Sequence, residues 1–403
     1  DVLARDRHAR DDRALCIDAH RPMSGAEPTS ATVTLVIAGG GTAGHLIPGL
    51  VVAEELVERG HPRSSILFVG AERGPEVTMV PERGYPVRLL PGRGIQRSLT
   101  VDNVAALWGL VRAAFQAFAL LRKERPKAVL ALGGFASVAC AVSAALLRIP
   151  LVIADQNALA GSANRLVARF ATSCAAAFPG VDLPRAVLTG NPVRPEIIAA
   201  ASTSPGAARE RLGLPADRTV LAVFSGSLGS RRINTAMVGA LELLADRSDL
   251  AIYHVFGRRD WDERDEPEFR TPTLPEGGLV YTRVAYSDEI GDLLAAADLG
   301  LTRAGGSTVA ELAIVGLPAI LVPLPIATRD HQRANAAGLV EAGGAILVID
   351  DQLTSERLIA ELMPLIENPA VLATMAAAAR GEGHPDAAAR VADLVESAAE
   401  GDR

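Results

Sequence analysis

Short aliphatic and β-branched runs alternate with longer helical stretches through the first half of the chain. The runs in this half are VTLVI (33–37), ILFVG (66–70), PVRLL (86–90), AVLAL (128–132) and LVIA (151–154). These runs are apolar on both faces of a strand, and helix-length sequence separates several of them. The pattern predicts a parallel sheet that is covered by helices on both sides.

A second series of the same kind follows a change in character near residue 190. Its runs are TVLAVF (219–224), AIYHVF (251–256), LVYTRV (279–284), DLGLT (298–302), AILVP (319–323) and AILVI (345–349). The last predicted helices, at 354–367, 370–380 and 385–400, are rich in alanine and amphipathic. We therefore predict an α/β fold with two doubly wound, Rossmann-like parallel-sheet halves of similar size.

The domain boundaries follow from shifts in composition. Residues 1–31 are polar and mixed in charge, without the apolar stretch of a signal peptide, and we expect a disordered tail there, with Met23 as a hypothetical native start. The predicted units after the tail are an N-terminal domain (32–194), a linker (195–215), a C-terminal domain (216–380) and a last helix (381–403) that can cross back to the first domain.

One stretch has the length and composition of a membrane-spanning helix. Residues 128–147 are uncharged and have the nominal length of a bilayer-spanning helix. Gly133 and Gly134 interrupt the stretch, however, so a buried strand followed by a packed helix is the better interpretation. Residues 312–328 are also uncharged but carry three prolines. We predict no transmembrane helix.

Composition narrows the class of protein. Of the 403 residues, 49% are hydrophobic and 22% are charged, a balance typical of folded globular proteins. The 40 basic and 47 acidic residues leave a net charge of −7, which argues against a nucleic-acid partner. Cys16, Cys140 and Cys174 lie far apart and indicate neither a disulfide framework nor a zinc site.

The first predicted strand runs into a glycine loop. Residues 39–44, GGGTAG, match the G-x-G-x-x-G pattern between a strand and a helix, where backbone N–H groups favour an anion. A dinucleotide site also needs an acid after the second strand, and Glu72 is available. His45, directly after the loop, is less usual for such a site, so the dinucleotide hypothesis stays open on this motif alone.

The second half repeats the glycine loop twice. SGSLGS (225–230) follows the strand at 219–224, and RAGGST (303–308) follows the strand at 298–302. The N–H groups and hydroxyls of such loops hold a diphosphate or a ribose. We expect Glu311 on the first turn of the next helix, where a carboxylate is placed to accept ribose hydroxyls. A first-turn acid that the helix dipole favours is the alternative, and the residue alone favours that alternative.

Several strings together resemble the MurG family of bacterial glycosyltransferases, from about Val33 to about Val395. They are GGGTAGHLIPG (39–49), DQNALAGSANRLVARFA (155–171), GNPVR (190–194), GSLGSRRIN (226–234), RAGGSTVAELAIVGLPAILVP (303–323) and DHQRANAAGLVEAG (330–343). The resemblance implies the GT-B fold, in which two Rossmann-like domains face each other across a cleft. It also implies inverting transfer of GlcNAc from UDP-GlcNAc to the 4-hydroxyl of undecaprenyl-pyrophosphoryl-MurNAc-pentapeptide. That reaction belongs to peptidoglycan synthesis at the cytoplasmic face of the bacterial cell membrane.

The resemblance also implies roles for individual residues toward UDP-GlcNAc. The implied donor-binding residues are Thr42, Ala43, Gly44, Asn157, Arg194, Ser227, Ser287 through its backbone, Gly306, Ser307, Thr308, Val309, Ala310, Glu311 and Gln332. Two departures from the family pattern stand out. Ala154-Asp155 stands where the family usually has His-Glu. Ser225 stands where the family usually has glycine, and a serine fits there only if its φ is negative or if the backbone is strained.

His45 is the candidate general base, because imidazole titrates near operating pH. The alternative is a histidine that caps the helix or fixes the loop; the residue alone leaves the two comparable, and the resemblance favours catalysis. Asp155 is the next candidate. We expect no obligatory metal cofactor, with helix N-termini, Ser227, Thr308 and arginine holding the leaving-group charge.

The lipid-linked acceptor implies an anionic membrane surface as a partner. The predicted membrane patch comprises Arg93, Arg97, Leu107, Trp108 and Arg112. An ordinary amphipathic helix that packs on the sheet is the alternative, and periodicity alone favours it. Nothing in the sequence indicates a protein partner.

Three other functions remain open from the sequence. A related GT-B transferase with a different lipid or natural-product acceptor is compatible with the departure at Asp155. A non-catalytic nucleotide-sugar-binding subunit is less compatible, since both halves of the site are present. A dinucleotide oxidoreductase does not explain the RAGGSTVAEL or DHQRANA strings.

Overall fold

The computed structural model describes residues 32–91, 101–226 and 228–401, with the backbone alone at 101–108, 110 and 328. The predicted tail at 1–31 lies outside this range. Residues Thr32–Arg403 group as one compact unit. Within it lie two sheets whose strands pair in parallel, so the predicted α/β fold with two doubly wound halves is confirmed.

The first sheet has seven strands in the order β3-β2-β1-β4-β5-β6-β7. Its strands are β1 (Leu35–Gly39), β2 (Ile66–Ala71), β3 (Val87–Leu90), β4 (Ala128–Gly133), β5 (Leu151–Asp155), β6 (Ser173–Ala176) and β7 (Ala186–Leu188). Its helices are α1 (Ala43–Glu58), α2 (Glu76–Glu82), α3 (Val101–Glu124), α4 (Phe135–Leu147) and α5 (Ser162–Val167). Strands β1, β4 and β5 are buried along their whole length, as their unbroken apolar runs require.

The sequence patterns missed two strands, β6 and β7. Their sequences, SCAA and AVL, are short and rich in small residues. Neither provides the β-branched run on which the prediction depends. Both nevertheless pair in parallel at the edge of the sheet, so tertiary pairing decides their structure.

The second sheet has six strands in the order β10-β9-β8-β11-β12-β13. Its strands are β8 (Thr219–Phe224), β9 (Leu250–Val255), β10 (Val280–Val284), β11 (Leu299–Thr302), β12 (Ala319–Leu321) and β13 (Ala345–Leu347). Its helices are α6 (Pro195–Ala200), α7 (Pro205–Arg211), α8 (Arg231–Leu244), α9 (Arg258–Trp261), α10 (Ile290–Ala296), α11 (Gly306–Val315), α12 (His331–Glu341), α13 (Ser355–Ile366) and α14 (Pro369–Gly381). Short 3-10 turns lie at Arg63–Ser65, Ala168–Phe170, Pro267–Phe269, Thr328–Asp330 and Asp350–Gln352.

The last helix, α15 (Ala387–Glu400), packs against the first sheet rather than the second. Its apolar side chains, including Val391 and Val395, are buried in the same core as strand β1 and helix α1. On its outer side, the Arg59 guanidinium lies 2.6 Å from Asp393 and 2.7 Å from Glu396. The end of the chain therefore crosses back from the second half and packs on the first.

The uncharged stretch at 128–147 divides into β4 and α4 at Gly134, which has a φ of 84°. Within residues 32–91, 101–226 and 228–401, no single helix is long and apolar enough to cross a membrane. Helices α13 and α14, bent by 94° at their junction, pass that test together by length and composition only.

Candidate active site

The first glycine loop presents His45 at the start of helix α1. Thr42 is the N-cap residue, and its hydroxyl pairs with the His45 ring (Oγ1 to Nδ1, 3.0 Å) instead of capping a backbone N–H. Thr42, Ala43 and Gly44 are exposed at this helix N-terminus. Because Nδ1 is engaged, Nε2 is the ring nitrogen left for chemistry. The loop-fixing role and a catalytic role are therefore compatible in one side chain.

The surroundings of His45 favour its neutral form. Burial lowers the pKa of its imidazole below the ordinary 6.5; Asp155 counteracts this, and His331 lowers the pKa further. His331 belongs to α12 of the second half, so the two halves meet at this imidazole. No spacing signal in the sequence pointed to His331, which stands inside the DHQRAN string without a partner motif.

Asp155 ends strand β5 with its carboxylate turned inward. Its Oδ1 accepts a hydrogen bond from the Asn157 N–H (3.1 Å), and its Oδ2 accepts from the Gly161 N–H and the Asn164 amide (both 2.9 Å). The side chain is buried, and these donors occupy both oxygens. This geometry favours Asp155 as the residue that fixes the loop after β5, and it gives no support to the predicted role in proton transfer.

The loop after β5 is held directly by the second half. Asn335 accepts a hydrogen bond from the Ala158 N–H at 2.7 Å and donates to the Asn157 side-chain oxygen at 3.2 Å. A Cβ at Gly306 would lie 1.9 Å from the Gln156 carbonyl oxygen, so only glycine permits this approach. Asn157 is thus fixed in the cleft. Asn335 stands inside the DHQRANAAGLVEAG string, but the resemblance assigned it no role.

Helix α11 begins earlier than its sequence suggested. Gly305 is the N-cap residue and Gly306 the first helical residue, because Gly305 is already in the extended conformation of an N-cap (φ −64°, ψ 145°). Glu311 is therefore the sixth residue of the helix, and its predicted place on the first turn is wrong. The helix-dipole explanation for this acid is lost with it, since that effect is confined to the first turn.

Glu311 lies at the junction of the two halves, beside Arg194. Arg194 Nη2 donates to Glu311 Oε1 at 3.3 Å, and Arg194 Nη1 lies 3.6 Å from Glu196. Burial raises the pKa of the Glu311 carboxyl, and the Arg194 guanidinium opposes that rise. Arg194 Nε is buried without a hydrogen-bond partner. A ligand with hydroxyl donors would bind this carboxylate in a water-poor setting.

The second and third glycine loops open onto one cavity of about 1090 Å³. Ser225, Gly229, Thr308, Arg303 and Gln332 contribute to its walls. Arg303 donates to the Ser230 hydroxyl at 2.6 Å, and Gln332 accepts from the Leu324 N–H at 2.9 Å, which leaves the Gln332 amide N–H₂ for a ligand. Arg303 is also ion-paired with Asp350, so the backbone amides and hydroxyls of these loops are the groups that suit a diphosphate.

The serine departure in the second loop causes no backbone strain. Positive φ values occur at Gly226 (77°) and Gly229 (81°), whereas Ser225 is not among the residues with positive φ. Ser227, the predicted diphosphate contact, lies outside the described residues. The Ser287 hydroxyl accepts from the Glu289 N–H at 3.2 Å in the loop after β10.

The predicted residues therefore fall into groups. Thr308 and Gln332 line the large cavity, Arg194 and Glu311 lie at the junction of the halves, and His45, Asp155 and Asn157 belong to the first half. Ser307, Val309 and Ala310 follow Gly306 on the first turns of α11. Within the parts of the chain that the structure describes, no group of three or more His, Cys, Asp or Glu residues is arranged to hold a metal.

Only part of the predicted membrane patch is described. Arg93 and Arg97 lie outside the described residues, as do the side chains of Leu107 and Trp108 on α3. Three later residues of the helix are exposed: Arg112, and Val111 and Phe115 with 40% and 72% of their surfaces accessible.

Comparison with known proteins places both halves in one family. Residues 35–176 match the glycosyltransferase family 28 N-terminal domain, and residues 220–391 match its C-terminal domain. A relative from Desulforudis audaxviator, named UDP-N-acetylglucosamine–N-acetylmuramyl-(pentapeptide) pyrophosphoryl-undecaprenol N-acetylglucosamine transferase, is 38% identical over 91% of this chain and 98% of its own. A relative of the same name from Alkalilimnicola ehrlichii is 39% identical over 90% and 98%. The crystal structure of Acinetobacter baumannii MurG superposes with a TM-score of 0.71 at 27% identity, over 90% of this chain and 99% of that one.

Proposed function

Because the chain belongs to the MurG family of glycosyltransferases, we propose that it moves GlcNAc from UDP-GlcNAc to the 4-hydroxyl of undecaprenyl-pyrophosphoryl-MurNAc-pentapeptide. The product is the β-1,4-linked disaccharide on the lipid carrier, and UDP is released. This reaction supplies a lipid-linked disaccharide for peptidoglycan synthesis. The observation that supports the proposal most is the arrangement of the site, with His45 at the first glycine loop and a cavity suited to a diphosphate at the second and third glycine loops.

The second half is proposed to hold the donor. The two ribose hydroxyls donate to the Glu311 carboxylate, beside which the Arg194 guanidinium opposes the rise in pKa that burial causes. The diphosphate lies against the backbone amides of the second and third glycine loops, with Thr308 beside it. The sugar then points out of the cavity, toward Gln332 and toward Asn157 of the first half. The loop conformation that Asp155 and Asn335 impose fixes Asn157 there.

The proposed chemistry is a single displacement at the anomeric carbon. His45 Nε2 accepts the proton of the acceptor hydroxyl as its oxygen attacks, and the bond to the UDP oxygen breaks on the opposite face. Inversion of configuration follows from this one-step geometry. The negative charge that develops on UDP is stabilised by oriented backbone N–H groups and hydroxyls, which need no reorganisation during the reaction.

A direct test is UDP release from UDP-GlcNAc in the presence and absence of a lipid-linked MurNAc-peptide analogue. We expect acceptor-dependent UDP release that persists in excess chelator, together with no consumption of NAD(P)H. Release that depends equally on a glycolipid or natural-product acceptor would favour the related-transferase alternative. Binding of UDP-GlcNAc without turnover on any acceptor would favour a non-catalytic subunit. Loss of activity in chelator that Mg²⁺ restores would overturn the metal-free proposal.

The pH dependence of kcat/KM should reflect the environment of His45. A base must be unprotonated in the free enzyme, and burial lowers the pKa of this imidazole below 6.5. Activity should therefore persist as the pH falls through 6.5 and decline only at more acidic values. The measurement is kcat/KM for the acceptor from pH 5 to 9 at saturating UDP-GlcNAc. An acid limb centred above 6.5 would contradict a buried, neutral His45.

We further propose that the first half docks on the cytoplasmic face of the cell membrane through helix α3. The exposed Phe115 and Val111, with Arg112 beside them, support an apolar face flanked by positive charge. This docking would bring the lipid carrier to the acceptor side of the cleft.

Removing Phe115 together with Trp108 of the predicted membrane patch should weaken membrane binding. The double variant Trp108→Ala with Phe115→Ala should bind vesicles of anionic phospholipid at least roughly 100-fold less, since each of two buried aromatic rings contributes about 1.5–3 kcal/mol. Co-sedimentation with vesicles measures the change. Leu243→Ala, which removes a 61% exposed leucine from α8 of the second half, is the matched control. Unchanged binding of the double variant would remove α3 from the docking surface.

A further inference from the structure

The first glycine loop already contains an anion, which is the side chain of Glu76. We propose that this carboxylate occupies the anion cradle of the loop and positions His45 for catalysis, a role that rests on the function proposed above. Glu76 begins helix α2 and is 1% exposed. It lies on no wall of the donor cavity, so it is a positioning residue rather than a catalytic one.

The contacts of Glu76 are those of a bound anion. Both carboxylate oxygens accept from the Gly41 N–H, Oε1 at 3.2 Å and Oε2 at 3.1 Å. Oε1 also accepts from the Ala71 N–H at the end of β2, at 2.8 Å. Hydrogen bonds from backbone N–H groups to an ionised acceptor are stronger than those to a neutral one. The carboxylate therefore ties the glycine loop after β1 to the end of the neighbouring strand.

Glycines create the space that this side chain fills. A Cβ at Gly40, Gly70 or Gly74 would lie 2.6, 2.4 or 2.3 Å from atoms of Glu76. In dinucleotide-binding folds, this loop receives the ligand's pyrophosphate at its backbone N–H groups. Here a diphosphate would have to displace a buried carboxylate of the same charge. The first glycine loop is therefore not a dinucleotide site. Its glycines are explained by the space that the Glu76 side chain needs.

Thr42 links Gly41, which Glu76 fixes, to the His45 side chain. Thr42 follows Gly41, and its hydroxyl lies 3.0 Å from His45 Nδ1. The Thr42 carbonyl also accepts the His45 backbone N–H at 3.2 Å. When Gly41 is fixed, Thr42 and therefore the imidazole have one orientation. Glu76 thus determines where Nε2 points without touching a substrate.

The Glu76→Ala variant tests this role, because it empties the cradle. We expect kcat to fall roughly 10- to 100-fold, the effect of losing hydrogen bonds to a charged group and misplacing the base. The affinity and the calorimetric stoichiometry of UDP binding should stay unchanged, because the uridine and the diphosphate bind to the second half. Sodium formate should restore kcat in a saturable way, and sodium chloride at equal ionic strength should not. Glu82→Ala, at the exposed end of α2, is the matched control.

Glu76→Gln keeps the volume but places an amide N–H₂ against the Gly41 N–H. It should lower kcat about tenfold, and formate should not rescue it because no space is free. If Glu76→Ala does not fold, Glu76→Gln tests the proposal by itself. A kcat within about threefold of wild type then overturns the proposal, and a larger fall with intact UDP binding supports it. If Glu76→Ala does fold, the proposal is overturned by a kcat within about threefold of wild type, or by a kcat that formate does not restore.

Hydrogen exchange separates this proposal from the proposed function. In Glu76→Ala, the amides of residues 41–45 should exchange faster than in wild type, and formate should slow them again. If the wild-type protein shows no transferase activity, the proposed function fails, and these exchange rates still decide whether the carboxylate holds the loop. Unchanged exchange in a folded Glu76→Ala would contradict the role of Glu76 whatever the activity.

Discussion

Replacing His45 by alanine should lower kcat roughly 10²- to 10⁴-fold, the usual contribution of a general base. The reason is geometric as well as electrostatic. Thr42 holds Nδ1, burial keeps the ring neutral, and Nε2 remains to take the proton of the attacking hydroxyl. UDP affinity should change little, because the uridine and the diphosphate are bound by the other half. Steady-state kinetics at saturating acceptor, together with UDP calorimetry, would measure both effects.

His61→Ala is the matched control for this variant. His61 follows α1 in the same half and pairs with Glu396 at 2.9 Å, away from the glycine loops. It should leave kcat nearly unchanged. A fall of less than tenfold in folded His45→Ala would reject His45 as the base. The proton would then have to go to the substrate itself, since the Asp155 carboxylate is occupied by backbone and amide donors.

Replacing Glu311 by alanine should lower kcat/KM for UDP-GlcNAc roughly 10²- to 10³-fold, since two hydrogen bonds to a buried charged acceptor are lost. The change also leaves the Arg194 guanidinium without its partner at 3.3 Å. Most of the effect should appear in KM, because the ribose is bound equally in the ground state and the transition state. Isothermal calorimetry with UDP would show the same loss without any acceptor.

Glu196→Ala provides the comparison for Glu311. Glu196 lies 3.6 Å from the same arginine, but 57% of its side chain is exposed. Its removal should leave UDP affinity within about threefold of wild type, because an exposed ion pair contributes little. Equal UDP affinity in Glu311→Ala and wild type would place the uridine elsewhere in the cleft.

The fold was predictable because its determinants are local and repeated. Runs such as TVLAVF and AVLAL are apolar on both faces, so only a sheet covered on two sides can bury them. Strands β6 and β7 were not predicted, because the segments SCAA and AVL form strands through pairing with neighbouring strands rather than through their own composition. Glu311 was misplaced on the first turn of α11 because the helix begins at Gly306, and glycine is a poor helix former that does not indicate a helix start.

The candidate site was predictable only where residues stand in glycine loops or family-like strings. Glu76 carries no such signal, because it is a single acid at a helix start. Asn335 stands inside the DHQRANAAGLVEAG string, but nothing in that string distinguished it from its neighbours. Their importance comes from long-range geometry, since Glu76 bonds to Gly41 and Asn335 bonds to Asn157 of the opposite half. Asp155 shows the converse. Its position suggested chemistry, and its hydrogen bonds indicate support of a loop.

A crystal structure with bound UDP-GlcNAc would test the central claim most directly. We predict ribose hydroxyls on the Glu311 carboxylate, a diphosphate against the loops at 225–230 and 303–308, and the anomeric carbon facing His45 Nε2 across the gap. Uridine bound away from Glu311, or a His45 ring directed out of the gap between the two halves, would contradict the account.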